Sequence, residues 1–192
     1  MGARLRTSKN HRRLSNDVRL FVAIEVRASP DRACGAPEHL TLSFLGEVAP
    51  DSLDRISSAL DRAARSSSPF DLVLEGVGAF PTRDRPRVVW VGATTGGRET
   101  VALAAQVSAA LADEGFHTED DRFVPHVTLF RVRSPELLRR AIALLAGTEP
   151  PPPPRAVRVS TIVLKESTLT ARGAVHRTRA TFPLGAPSGA RV

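Results

Sequence analysis

HLTLSFL, residues 39–45, alternates residue by residue: His39, Thr41 and Ser43 fall on one face, Leu40, Leu42 and Phe44 on the other. Period two reads as a half-buried β-strand. A second stretch, His126-Val127-Thr128-Leu129, repeats the H-x-T-L core 126 − 39 = 87 residues later. Each copy precedes a short connection and an amphipathic helix. A spacing near half the chain is what two similar lobes sharing one cleft would produce. With five histidines in 192 residues, composition predicts roughly 0.04 such motifs per chain, and two together about once in a thousand chains.

Outward from these motifs, residues 19–26 (RLFVAIEV) form a short apolar, β-branched run and read as a buried strand. Residues 27–38 hold Pro30, Gly35 and Pro37 and read as loop. From Asp51 to Arg65, Leu53, Ile56, Leu60 and Ala64 recur at helical spacing, with Asp51 in N-cap position. Phe70–Phe80 and Arg87–Thr94 predict a hairpin whose tip, PTRDRP, is basic. Glu99–Glu114 is an Ala-rich helix closed by Gly115. Phe123–Val132 predicts a strand. Ser134-Pro135-Glu136 starts a helix that runs to about Ala146. The prolines 150–154 make a stiff, extended connector. Val157–Leu164 and Val175–Phe182 read as two last strands. One domain over residues 18–185 is expected, with a flexible basic arm (1–17) before it and a tail (186–192) after it.

Composition agrees with a single globular domain: hydrophobic residues make up 42% and charged residues 24%. No stretch approaches the roughly 18 apolar residues that span a bilayer. Met1–Asn16 is basic but lacks the apolar run of a secretory leader. Cys34, the one cysteine, makes no internal disulfide and excludes a Cys-rich zinc site, so a reducing cytosol is the expected compartment. The net charge is +7; Lys9 and Lys165 are the only lysines, and the other 27 − 2 = 25 basic residues are arginine. Arginine's planar fork suits phosphate, which points to nucleic acid or nucleotide. A GC-rich genome yields the same excess of arginine, alanine and proline, so composition alone does not decide.

The motifs carry more. Residues i and i+2 of a strand share a face, so each motif presents an imidazole beside a hydroxyl. Should the two strands lie side by side at the middle of a sheet, two histidines and two threonines line one polar cleft. Histidine titrates near neutrality. A pair can hold one neutral and one protonated member, the requirement for general base and general acid acting together. Threonine hydroxyls can donate to the non-bridging oxygens of a phosphate. Nothing in this set calls for a metal or another cofactor.

At these residues the chain resembles the two-histidine phosphoesterases, and within them the RNA 2′,3′-cyclic phosphodiesterases, also called 2′-5′ RNA ligases. The matching stretches are RLFVAI (19–24), HLTLSFLGEV (39–48), GVGAFP (76–81), RPRVVWVG (85–92), PHVTLFRVR (125–133) and VLKES (163–167). The resemblance implies an α+β, bilobal fold: two pseudo-symmetric lobes with antiparallel-rich sheets around a central cleft and helices outside. It implies metal-independent hydrolysis of a terminal 2′,3′-cyclic phosphate on RNA, tRNA fragments included, to a 2′-phosphate. His39 would then protonate the leaving 3′ oxygen and His126 would activate water; the residues themselves leave that order open. Thr41, Thr128 and Arg131 would hold the phosphate. Strict alternation puts Arg131 on the face away from His126, so its role requires a bulge or the strand end. The family carries a full helix between its first strand and first motif; twelve residues, 27–38, leave that first-lobe helix missing or shortened. A monomer without membrane attachment is the expected form. Two other readings fit the same residues: an RNA- or nucleotide-binding module without turnover, and a phosphodiesterase for a small cyclic nucleotide.

Other features carry less. His11 and His117 read as solvated; His176, in the last hairpin, can approach the cleft but reads as lying outside it. Gly76-x-Gly78 lacks the third glycine of a dinucleotide fingerprint and reads as a strand end with a bulge, and no P-loop is present. Glu119-Asp120-Asp121 reads as a solvated turn. Arg83, Arg85 and Arg87 can track an RNA backbone or simply be solvated. Phe80 and Phe123 flank the expected cleft, where they can stack on a base or pack in the core.

Overall fold

The computed structural model describes residues 17–26, 39–117, 123–171 and 173–185. The 27–38 segment, His11, the 119–121 acidic turn and most of both terminal segments lie outside them. Two four-stranded sheets, antiparallel in every pairing, make up the frame. Sheet A has the order β2 (His39–Val48), β1 (Val18–Glu25), β7 (Thr161–Thr170), β8 (Gly173–Pro183). Sheet B has the order β5 (His126–Arg131), β4 (Pro86–Ala93), β3 (Phe70–Pro81), β6 (Arg155–Val159). The orders correspond strand for strand, so the motif strands β2 and β5 hold equivalent edge positions, and they pack against each other.

The motif strands are therefore the facing edges of two sheets rather than neighbours inside one. Burial explains this. Leu20 to Ile24 of β1 are buried without a break on both faces, which suits an inner strand. A strand alternating Leu with His and Thr instead keeps one side toward the gap between the lobes.

Leu20, Val22, Ile24, Leu40, Ile162 and Leu164 point to one face of sheet A and join the main core. Two helices cover that face. In α1 (Leu53–Arg65) the buried stripe is Ile56, Ala59, Leu60, Ala63 and Ala64. In α2 (Gly97–Asp113) it includes Leu103, Val107 and Leu111. Burying one Leu or Ile stabilises by about 1.5–3 kcal/mol, so these faces fix both helices on the sheet. Leu72, Leu74, Val91, Val127 and Val159 of sheet B enter the same core and tie the lobes together. A smaller cluster, Val89, Ala141 and Leu144, seats α3 (Pro135–Ala146) on sheet B.

Local signals are mostly realised. The Ser134 hydroxyl accepts from the Leu137 amide at 3.3 Å, Pro135 opens α3, and Gly147 closes it at φ +78°. Asp51 is not an N-cap: it lies in a 3₁₀ turn, Pro50–Ser52, and Ser52 precedes α1. The strand expected over 157–164 is two strands that part at Ser160 into different sheets. The apolar pattern continues across the junction and hides it. Polar residues 165–170 continue β7 because β8 pairs with them as far as Gly173.

Candidate active site

Both motif strands carry a bulge. On β2, Ala23 pairs with Thr41 but Val22 pairs with Ser43, so Leu42 is the extra residue. A bulge shifts the alternation by one. His39 and Thr41 keep their expected face, opposite Glu25 and Ala23. Ser43 instead joins the core side, 4% exposed, and Phe44 turns out opposite Phe21, 46% exposed. The face expected for Ser43 and Phe44 is thus reversed.

On β5, Trp90 pairs with Thr128 and Val89 with Phe130, so Leu129 is the extra residue. Arg131 then pairs with Val88, and Val88 lies two residues from Trp90 on the same side of β4. The bulge required for Arg131 is present, and it returns Arg131 to the face of His126 and Thr128. Motif by motif, Arg131 occupies on β5 the position of Phe44 on β2. His39, Thr41, His126 and Thr128 are all half-buried, open enough to meet a ligand.

Rings surround both histidines. His126 meets Phe80 edge-on at 4.9 Å and 85° and Trp90 at 5.9 Å and 55°. His39 meets Phe21 at 5.0 Å and 43° and His176 at 5.1 Å and 85°. His176 therefore touches the His39 ring, against the reading that set it outside the cleft. It sits on β8, yet it also lies 5.0 Å from Phe21. The sequence signal was weak, because a polar hairpin strand shows no face.

His126 differs electrostatically from an exposed histidine. Its Nδ1 lies 2.8 Å from the Val124 carbonyl oxygen, which can only accept, so Nδ1 carries the proton and Nε2 keeps its lone pair. Burial pushes its pKa below the usual imidazole value; the Val124 bond opposes that, and the charge of Arg131 reinforces it. The ring is held neutral near pH 7.

Lys165, within the VLKES stretch, brings a buried ammonium into an ion pair. It pairs with Phe21 in the sheet, is buried, and donates to Glu25 Oε1 at 2.7 Å and Thr178 Oγ1 at 3.2 Å. A lysine within an apolar strand of an arginine-rich chain was the available signal. Arg83, exposed, donates to the carbonyls of Val77 and Leu145. Phe80 lines the site, Phe123 packs on the main core, and His117 is exposed. Among the described residues, no group of three or more His, Cys, Asp or Glu side chains is arranged to hold a metal ion. No helix among them is long and apolar enough to cross a membrane.

Two corresponding lobes, each presenting an imidazole and a hydroxyl from an edge strand, make an α+β fold of the phosphoesterase type. A solved protein from Thermus thermophilus superposes on it with a TM-score of 0.66 at 27% identity, covering 88% of this chain and 98% of that one. The E. coli LigT protein complexed with 3′-AMP gives a TM-score of 0.64 at 27% identity, covering 88% and 99%. A protein of Aeropyrum pernix named RNA 2′,3′-cyclic phosphodiesterase is 38% identical over 154 residues, 80% of this chain and 85% of that protein. One of the same name from Aquifex aeolicus is 32% identical, over 77% and 78%. The family described as the 2′-5′ RNA ligase superfamily matches residues 12–168, and the chain belongs to it.

Proposed function

We propose that this protein hydrolyses the 2′,3′-cyclic phosphate at an RNA terminus to a 2′-phosphate. His126 takes a proton from water through Nε2. The water oxygen attacks phosphorus, the bond from phosphorus to O3′ breaks, and His39 gives its proton to O3′. Thr41, Thr128 and Arg131 hold the non-bridging oxygens as charge develops. The observation that carries this reading is the placement of both His-Thr pairs on facing edge strands. The division of roles rests on His126: its carbonyl bond and low pKa leave Nε2 ready to accept. The activity named for the Aeropyrum and Aquifex relatives supports the substrate. No step draws on a metal, and a monomer acting in the cytosol suffices.

The test is product analysis in EDTA with a short RNA ending in a 2′,3′-cyclic phosphate. A 2′-phosphate terminus is expected. A 3′-phosphate alone would overturn the assignment of the broken bond. Salt-sensitive binding without turnover would make the chain a binding module. Preference for a small cyclic nucleotide over short RNA would replace the substrate.

A further inference from the structure

We propose that His176 is a positioning residue for His39, holding its ring as Phe80 holds that of His126. The inference rests on the phosphodiesterase reading above. Among the described residues each motif histidine meets two rings, one tilted and one perpendicular. One neighbour is tilted: Trp90 at 55° for His126, Phe21 at 43° for His39. The other is perpendicular: Phe80 at 85° and 4.9 Å for His126, His176 at 85° and 5.1 Å for His39. In sheet B the perpendicular ring comes from β3. In sheet A it comes from β8, where His176 pairs with Ser167. His176 also meets Phe21 at 79° and 5.0 Å, so the rings of His39, Phe21 and His176 close a triangle.

Edge-to-face rings at 4.5–7 Å attract one another. The torsion that turns an imidazole about its Cβ–Cγ bond is otherwise broad. A general acid must hold its N–H along the line to the leaving oxygen, and small errors in aim are costly. A perpendicular neighbour narrows that torsion. His176 thus works through His39, and what it supplies is an aromatic edge or face. A phenyl ring can supply the same, as Phe80 does in the other lobe.

The test compares wild type, His176→Ala and His176→Phe on RNA carrying the cyclic phosphate, together with carbon relaxation of the His39 imidazole. His176→Ala should lower kcat about tenfold with KM within about twofold, because aim is lost and ground-state binding is not. His176→Phe should bring kcat back to within about threefold. Order of the His39 ring should fall in the alanine variant and return in the phenylalanine variant. Wild-type kcat in His176→Ala, no rescue by phenylalanine, or an equally ordered His39 ring in the alanine variant would each overturn the proposal. An inactive wild type would count against the phosphodiesterase reading instead, and the relaxation of His39 would still decide the positioning claim.

Discussion

Gly78→Ala should unsettle the site through Trp90. Gly78 pairs with Trp90 across β3 and β4. A Cβ there would lie 2.2 Å from Cη2 and Cζ2 of the indole and 2.7 Å from Cε2. Carbon atoms rest about 3.5–4.0 Å apart, so the ring must retreat by more than about 1 Å. Retreat toward Gly92, which carries no side chain, runs onto that residue's backbone, since even an added Cβ there would lie 3.2 Å from Cζ3 of the indole. The other directions lead to Phe80, 5.2 Å away, and His126, 5.9 Å away. Overpacking of this kind costs about 1–3 kcal/mol. At about 2–4 °C per kcal/mol for a chain of this length, Tm should drop by about 2–12 °C. A shift of about 1 Å passed to His126 should lower kcat on the order of a hundredfold. Trp90 is the only tryptophan, so its emission reports the displacement directly. Adding Trp90→Phe removes the large ring, and the double variant should lose less than the two single losses combined. A Gly78→Ala protein with unchanged emission, wild-type kcat and Tm within about 1 °C would refute the reasoning.

His39→Ala and His126→Ala should each lower kcat by about 10²–10⁴ while the RNA dissociation constant stays within about threefold; a variant that keeps its rate excludes that residue from the chemistry. Because His126 must be neutral to accept a proton and its pKa is depressed, the acid limb of kcat/KM should fall below the ordinary histidine range. Arg131→Gln removes one depressing charge and should move that limb to higher pH, which a pH profile of the two proteins decides. Glu25→Ala leaves the buried Lys165 ammonium without its carboxylate, with Thr178 still accepting from it, and should cost about 3 kcal/mol. Lys165→Met leaves a carboxylate that water can reach and should cost about 1 kcal/mol; calorimetry showing the reverse order would contradict this account of the pair.

The two lobes and their four motif side chains were legible because alternation and duplication both act over a few residues. The bulges at Leu42 and Leu129 were not, since an extra residue shows only against a partner strand. Arg131 illustrates the difference: alternation turned it away, and pairing with Val88 turned it back. The break at Ser160 was hidden because β6 and β7 are both apolar enough to read as one strand. His176 meets Phe21 and His39, and Lys165 meets Glu25, across strands far apart in sequence, which no local pattern encodes. Gly76-x-Gly78 read as a strand end with a bulge; the irregularity is there, between Leu74 and Val77, but Gly78 lies inside β3, where its lack of a side chain makes room for the indole opposite.

The most direct measurement is a crystal structure with a 2′-nucleoside monophosphate, the proposed product, in the cleft. One phosphorus should lie with its oxygens in hydrogen-bond reach of both His39 and His126, flanked by the hydroxyls of Thr41 and Thr128. A phosphate held by one histidine while the other faces elsewhere would contradict the idea that the two lobes act on a single group.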